Sequence, residues 1–278
     1  MNRIFIDRNM SIKIKQHLDN GEKEISSIEL KELIMQKDWS NNLISIFHSV
    51  KEGGKGYIEN ISEKKETIEK EADIISKFFK RAKVDSEFML DNLDKMSKTL
   101  HEETELDWES NSKFLSEMND ILYQPIGKTK QKHIKDKIFE KANIYNIKLS
   151  HIVVVGSLSI LYGCDKMRGV LKFKEKFNSK KPKHKNIYNS LNDILAIFKF
   201  NQIKALMLIN NPTDTFEFVT FDKPLKFIID NIHITPTLLD NNITRMNIIY
   251  DKKLFSKLTD DEYRNLMIEI NQKEFKSL

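Results

Sequence analysis

Two short apolar runs, one near each end of the chain, stop at an aspartate: Ile4-Phe5-Ile6-Asp7 and Phe218-Val219-Thr220-Phe221-Asp222. Short runs rich in Ile, Val and Phe have the composition of buried strands. A carboxylate that follows such a strand in a parallel sheet stands at the carboxyl edge, where open α/β sheets bind their ligands. A third acid, Asp193, falls in the helical run 188–195, with Asn189 one turn earlier on the same polar face. Acids that converge repel one another unless a cation joins them, and hard oxygen ligands suit Mg²⁺ or Mn²⁺. The pattern predicts an α/β fold that performs metal-assisted chemistry on a phosphate.

Composition fits this class. The chain has 278 residues, of which 40% are hydrophobic, enough for a proper core. The first ten residues contain an acid and no long apolar stretch, unlike a secretory signal. The longest apolar stretch, 151–162, is interrupted by Gly156 and two serines and is too short to span a bilayer. Cys164 stands alone and can form no internal disulfide. The expectation is a cytoplasmic protein that uses no membrane. The formal net charge is +5, and seven lysines (172, 174, 176, 180, 181, 183 and 185) fall within fourteen residues beside a single acid, Glu175. Such a run can neutralise nucleic-acid phosphates and release counterions, though taken alone a solvated loop around Asn178, Ser179 and Pro182 is the better reading.

Along the chain, the pattern predicts a strand at 3–7, a helix at 10–18, and mainly helix over 26–50 up to the glycines at 53, 54 and 56. A long helical region opens at Asn60, with Glu63 in a capping-box relation. Within it Ile61, Ile68, Ile75, Ala82, Met89 and Met96 recur every seven residues. Ala72, Phe79, Leu93 and Leu100 form a second row broken at Ser86. These heptads suit a helix or helical hairpin packed on its own domain, and also allow a homodimer. Helices are expected at 109–122, 131–145 and 187–200, and strands at 205–209 and 216–220. A last helix should follow a capping box at Thr259 and Glu262. The run 151–162 reads as helix or strand. The whole is expected to be one domain, 1–278, with a helix-rich insertion over 57–146.

The set Asp7-x-Asn9, Glu52, Asp193 and Thr220-x-Asp222 resembles the acidic tetrad of PIN-domain nucleases. The resemblance implies an α/β/α sandwich with a mainly parallel sheet, bound Mg²⁺ or Mn²⁺, and hydrolysis of RNA phosphodiesters. Asp7, Asp193 and Asp222 would be metal ligands, and Glu52 a ligand or the group that orients the attacking water. Asn9, Asn189 and Thr220 would hold the acids from behind, and the lysine run would grip the RNA backbone. RNA processing, a toxin role or phage defence, with a neutralising protein partner, all fit such an endoribonuclease. The chain departs from compact members in its long interval between Glu52 and Asp193. Glu66, Glu69 or Glu71 could take the place of Glu52, and Asp165 is another potential ligand.

Other chemistries have less support. Cys164 has Asp165 beside it and reads as a core-edge residue, His151 as a cap or packed residue, and the histidines form no metal pair at helical spacing. The glycines at 53, 54 and 56 lack the Lys-Ser/Thr ending of a phosphate loop, and Asn9 stands where a haloacid-dehalogenase-like phosphatase needs an acid. The competing expectation is a non-catalytic PIN-like module that binds nucleic acid, or a helical protein-interaction module.

Overall fold

The apolar run before Asp7 does become a strand, β1 (Asn2–Ile6), and it lies inside a four-stranded sheet. The computed structural model describes residues 1–20, 30, 32, 36–53, 55–105, 108–174, 183–238 and 244–275. These fall into two compact units, Met1–Leu106 with Ile203–Lys226, and Asp107–Gln202 with Phe227–Leu278.

In the first unit β1 pairs in parallel with β2 (Asn42–Ser45) on one side and β4 (Thr215–Val219) on the other; β3 (Lys83–Val84) extends the sheet beyond β2. The order is β3-β2-β1-β4. The chain builds outward from β1 through β2 to β3, then returns to lay β4 on the opposite flank of β1. The strand order therefore reverses between β1 and β4, the kind of border where doubly wound sheets bind ligands. Ile4, Ile6 and Ile44 point from the sheet into a core completed by Met10 and Ile14 of α1 (Arg8–Asn20), Val50 of α2 (Phe47–Glu52), and Ile68, Ala72 and Ile75 of α3 (Ile61–Phe78). α4 (Ser86–Asp91) and α5 (Leu93–Glu105) add Met89 and Leu100.

The heptad rows are spent here. Ile68, Ile75, Ala82, Met89, Ala72, Phe79 and Leu100 are all buried within this unit, while Ile61 at the start of the row is 38% exposed. Asn60 and Glu63 make the reciprocal capping box, each bond 3.0 Å. Two expectations are corrected. Residues 42–45 form β2, since the β-branched and apolar pair Leu43-Ile44 gains a ladder on both sides. Residues 205–209 continue a helix, because the strong helix formers Ala205, Leu206, Met207 and Leu208 meet no breaker before the Asn211-Pro212 turn.

The second unit is helical, with one hairpin. α6 (Trp108–Leu122), α7 (Lys128–Ile144), α8 (Ile152–Leu161) and α9 (Asp165–Val170) precede α10 (Lys183–Asn210), which enters the first unit at Ile203. The undecided run is α8, all ten of its residues buried. His151 caps it by accepting the Val153 amide. The hydroxyls of Ser157 and Ser159 bond to the Val153 and Gly156 carbonyls at 2.8 Å, so no buried polar group needs a strand partner. Met167 of α9 sits where a side chain on Gly156 would begin, its sulfur 3.3 Å from an ideal Cβ. α11 (Lys223–Asp230) enters this unit at Phe227, and β5 (Ile232–Leu238) and β6 (Thr244–Tyr250) pair antiparallel. α12 (Asp260–Phe275) opens on the expected Thr259–Glu262 box. The region 57–146, read as one insertion, is thus divided: α3–α5 belong to the first unit, α6 and α7 to the second. Among the described residues, no helix is long and apolar enough to cross a membrane.

Candidate active site

β1 ends at Ile6, and the next residue turns the chain into α1. Asp7 makes this turn by capping the helix: its Oδ1 accepts the Met10 amide at 2.8 Å, and its carbonyl accepts the Ser11 amide at 3.2 Å. β4 ends in the same way. Asp222 Oδ1 accepts the Leu225 amide at 2.9 Å, and its carbonyl the Lys226 amide, which starts α11. Because β1 and β4 are neighbours in register, with Ile6 opposite Val219, the residues that follow them meet. Thr220 links the two acids. Its hydroxyl donates to Asp7 Oδ2 and accepts the Asp222 amide at 2.9 Å.

Asp7 is only 3% exposed. Burial pushes its carboxyl above the usual range, and the neighbouring Asp222 charge pushes it the same way; hydrogen bonds from Thr220, the Met10 amide and Asn9 partly offset them. Asp7, Asn9, Thr220 and Asp222 are thus brought together at the border where the strand order reverses. The two acids among them, Asp7 and Asp222, each accept backbone amides at the amino end of a helix.

Glu52 is half-buried at the end of α2. Glu71, one of its substitutes, is buried on α3 and is the hub of a separate network: Arg8 binds Oε1, and the Ser11 and Ser49 hydroxyls both donate to Oε2. The sequence carries a signal for this role, since Glu71 falls within the apolar stripe of Ile68, Ala72 and Ile75, and a charge there needs partners. Ser11 and Ser49 carry no comparable signal. Glu66 is exposed, in a loose pair with Lys70, and Glu69 is exposed too.

Asp193 belongs to the second unit, whereas Asp7 and Asp222 belong to the first. On α10 Asp193 is buried, as are all residues from Ser190 to Ile194. The Lys172 ammonium pairs with Asp193 Oδ2, from a backbone in the left-handed region (φ 53°). Asn189 lies half-buried one turn before it. Lys172 is therefore engaged internally, whereas Lys174 and Lys185 are exposed. Lys176, Lys180 and Lys181 lie outside the described residues, as does the side chain of Lys183. Asp165 is exposed and paired with Arg168. Cys164 is buried, its thiol pushed up by that burial, which disfavours the reactive thiolate.

Among the described residues, no group of three or more His, Cys, Asp or Glu side chains is arranged to hold a metal ion. Asp7 and Asp222 supply two carboxylates. That donor set does not suit an all-protein cage, but it does suit Mg²⁺ bound through one or two carboxylates with water and substrate phosphate. No family model, curated protein or solved structure matches the chain.

Proposed function

We propose that the first unit is a PIN-like, metal-assisted endoribonuclease whose working edge is the Asp7–Asp222 pair. The observation that carries this reading is the buried Asp7 carboxyl, its proton held more tightly by burial and by the Asp222 charge, at the border where the parallel strand order reverses. Such a pair gains from a hard cation, and a bound Mg²⁺ or Mn²⁺ would polarise the scissile phosphate and acidify a water. Thr220 sets the placement of the two carboxylates, and Asn9 adds a donor to Asp7. RNA as the substrate, a cytoplasmic setting, and a role as a toxin or phage-defence effector with a neutralising partner rest on the family resemblance. Asp193, with its cation already supplied by Lys172, is left out of this pair; Glu52 and Asn189 have no role in it.

The test is cleavage of labelled single-stranded RNA, structured RNA and single-stranded DNA with Mn²⁺, Mg²⁺ or EDTA. Asp222→Asn is the decisive variant, because the amide oxygen can still cap α11. Metal-dependent cutting that Asp222→Asn and Asp7→Asn both lose supports the proposal. Cutting that survives both removes the pair from the chemistry.

A second reading has its own support: both acids already act as helix caps, which is reason enough for an aspartate at each position. On that reading the protein is a non-catalytic nucleic-acid-binding relative. It would bind RNA without cutting it, and charge reversal at Lys174 and Lys185 would weaken binding while Asp222→Asn would not.

A further inference from the structure

Ile4, Ile6 and Ile44 fill one face of the parallel sheet; the alternate residues Arg3 and Phe5 of β1 and Leu43 and Ser45 of β2 lie on the other. A cavity of about 870 Å³ opens there, entirely within the first unit. This lies in the roughly 300–1,000 Å³ range of small-molecule sites. Phe5 and Leu43 line it from the strands, and Phe88 and Met96 from α4 and α5. Ile203 and Met207 line it from the part of α10 that belongs to this unit. Methionines adapt to varied apolar shapes, and the rings of Phe5, Phe47 and Phe88 favour a flat partner.

The polar lining is already committed. Ser76 and Ser86 bond to each other at 2.7 Å, the Ile46 amide holds Asp85 Oδ1 at 3.0 Å, and Arg3 holds Asp214 at 2.7 Å. Burial also pushes the Asp85 carboxyl up, toward its uncharged form. Lys83 and Glu87 are the remaining lining charges and are opposite in sign. The cavity therefore offers mainly apolar surface, with lining charges of both signs.

We propose that this cavity is a binding site for a small, neutral, aromatic molecule. The proposal does not rest on the nuclease reading. Charged ligands would meet either Lys83 or Glu87 with the wrong sign, and strongly polar ones would find few uncommitted partners.

The test uses N-phenyl-1-naphthylamine, a neutral aromatic probe whose fluorescence rises in apolar surroundings, titrated into the full chain, with indole as competitor. Saturable binding of one probe per chain, reversed by indole, is expected. Phe88 is 59% exposed, so Phe88→Ala should leave the fold intact; we expect it to weaken binding by about fivefold through the lost ring contact. Met207→Trp, which fills the cavity, should weaken it further, at an unchanged circular dichroism spectrum. No saturable signal overturns the proposal, and so does saturable binding that Phe88→Ala leaves unchanged. If Met207→Trp fails to fold, Phe88→Ala decides alone.

Discussion

A buried carboxylate beside a second carboxylate is a stability problem before it is a catalytic asset. The folded state holds the Asp7 proton more tightly than the unfolded chain does, because burial and Asp222 both disfavour its charge. The folded state therefore binds more protons in the window between the unfolded value of 3.8 and the raised folded one. Stability from this group is complete below that window and is lost as pH rises through the folded value. Asp7→Asn removes the loss while its amide oxygen can still accept the Met10 amide. We expect Asp7→Asn to melt like wild type near pH 3 and above it at pH 7, the gap opening as pH rises between them. Cation binding inverts the comparison. At a concentration 100 times its dissociation constant, Mn²⁺ would stabilise wild type by about 2.7 kcal/mol. Asp7→Asn should show a smaller rise in melting temperature, and an equal rise in both would remove Asp7 as a ligand. Glu71 carries a different liability. It satisfies Arg8, Ser11 and Ser49 together, so Glu71→Ala strands a partly buried guanidinium and two hydroxyls. Breaking such a buried pair from one side costs about 3–5 kcal/mol, which urea denaturation would read as a lower midpoint at unchanged slope.

At the scale of elements, what was legible in the sequence was what is local. The caps at Asn60, His151 and Thr259 involve partners two or three residues away, and each forms as its spacing suggests. The ends of β1 and β4 were legible for the same reason, since apolar residues run straight into a helix-capping acid. β2 and β3 were not, because four and two residues carry too little pattern of their own and are defined by the strands they join. β5 was hidden by Pro236, which argues against a strand until its partner Met246 is known. Of the expected site, the part set by two adjacent strand ends came together within the first unit, while Asp193 falls in the other unit. The Asn60 cap offers a quantitative check at this scale. Asn60→Ala removes the acceptor for the Glu63 amide and should cost about 1 kcal/mol, with faster hydrogen exchange confined to the first turn of α3.

For the whole molecule, the chain crosses between its two units after Leu106, Gln202 and Lys226, and the last two crossings fall inside α10 and α11. No Pro- or Gly-rich linker marks either, so composition alone reads one domain. Charge is the other whole-molecule property, and it decides how RNA binding should behave. Each lysine that neutralises a phosphate contributes about −0.7 to the slope of log affinity against log salt for a single strand. Lys172 is paired with Asp193, so its ammonium is already compensated within the protein. Lys174 and Lys185 are exposed, and the Lys174 backbone is pinned at 2.9 Å by Asn119, which fixes where that lysine leaves the surface. If the run grips RNA, the double substitution Lys174→Ser with Lys185→Ser should flatten the slope by about 1.4. Lys172→Ser should leave the slope nearly unchanged, yet lower the melting temperature by removing the cation beside the buried Asp193 carboxylate. Anisotropy titrations of a fluorescent RNA over a series of salt concentrations, in EDTA to prevent cutting, separate the two lysine classes. A slope that neither change alters would place the RNA contact away from this run, whatever the acids at the sheet edge do.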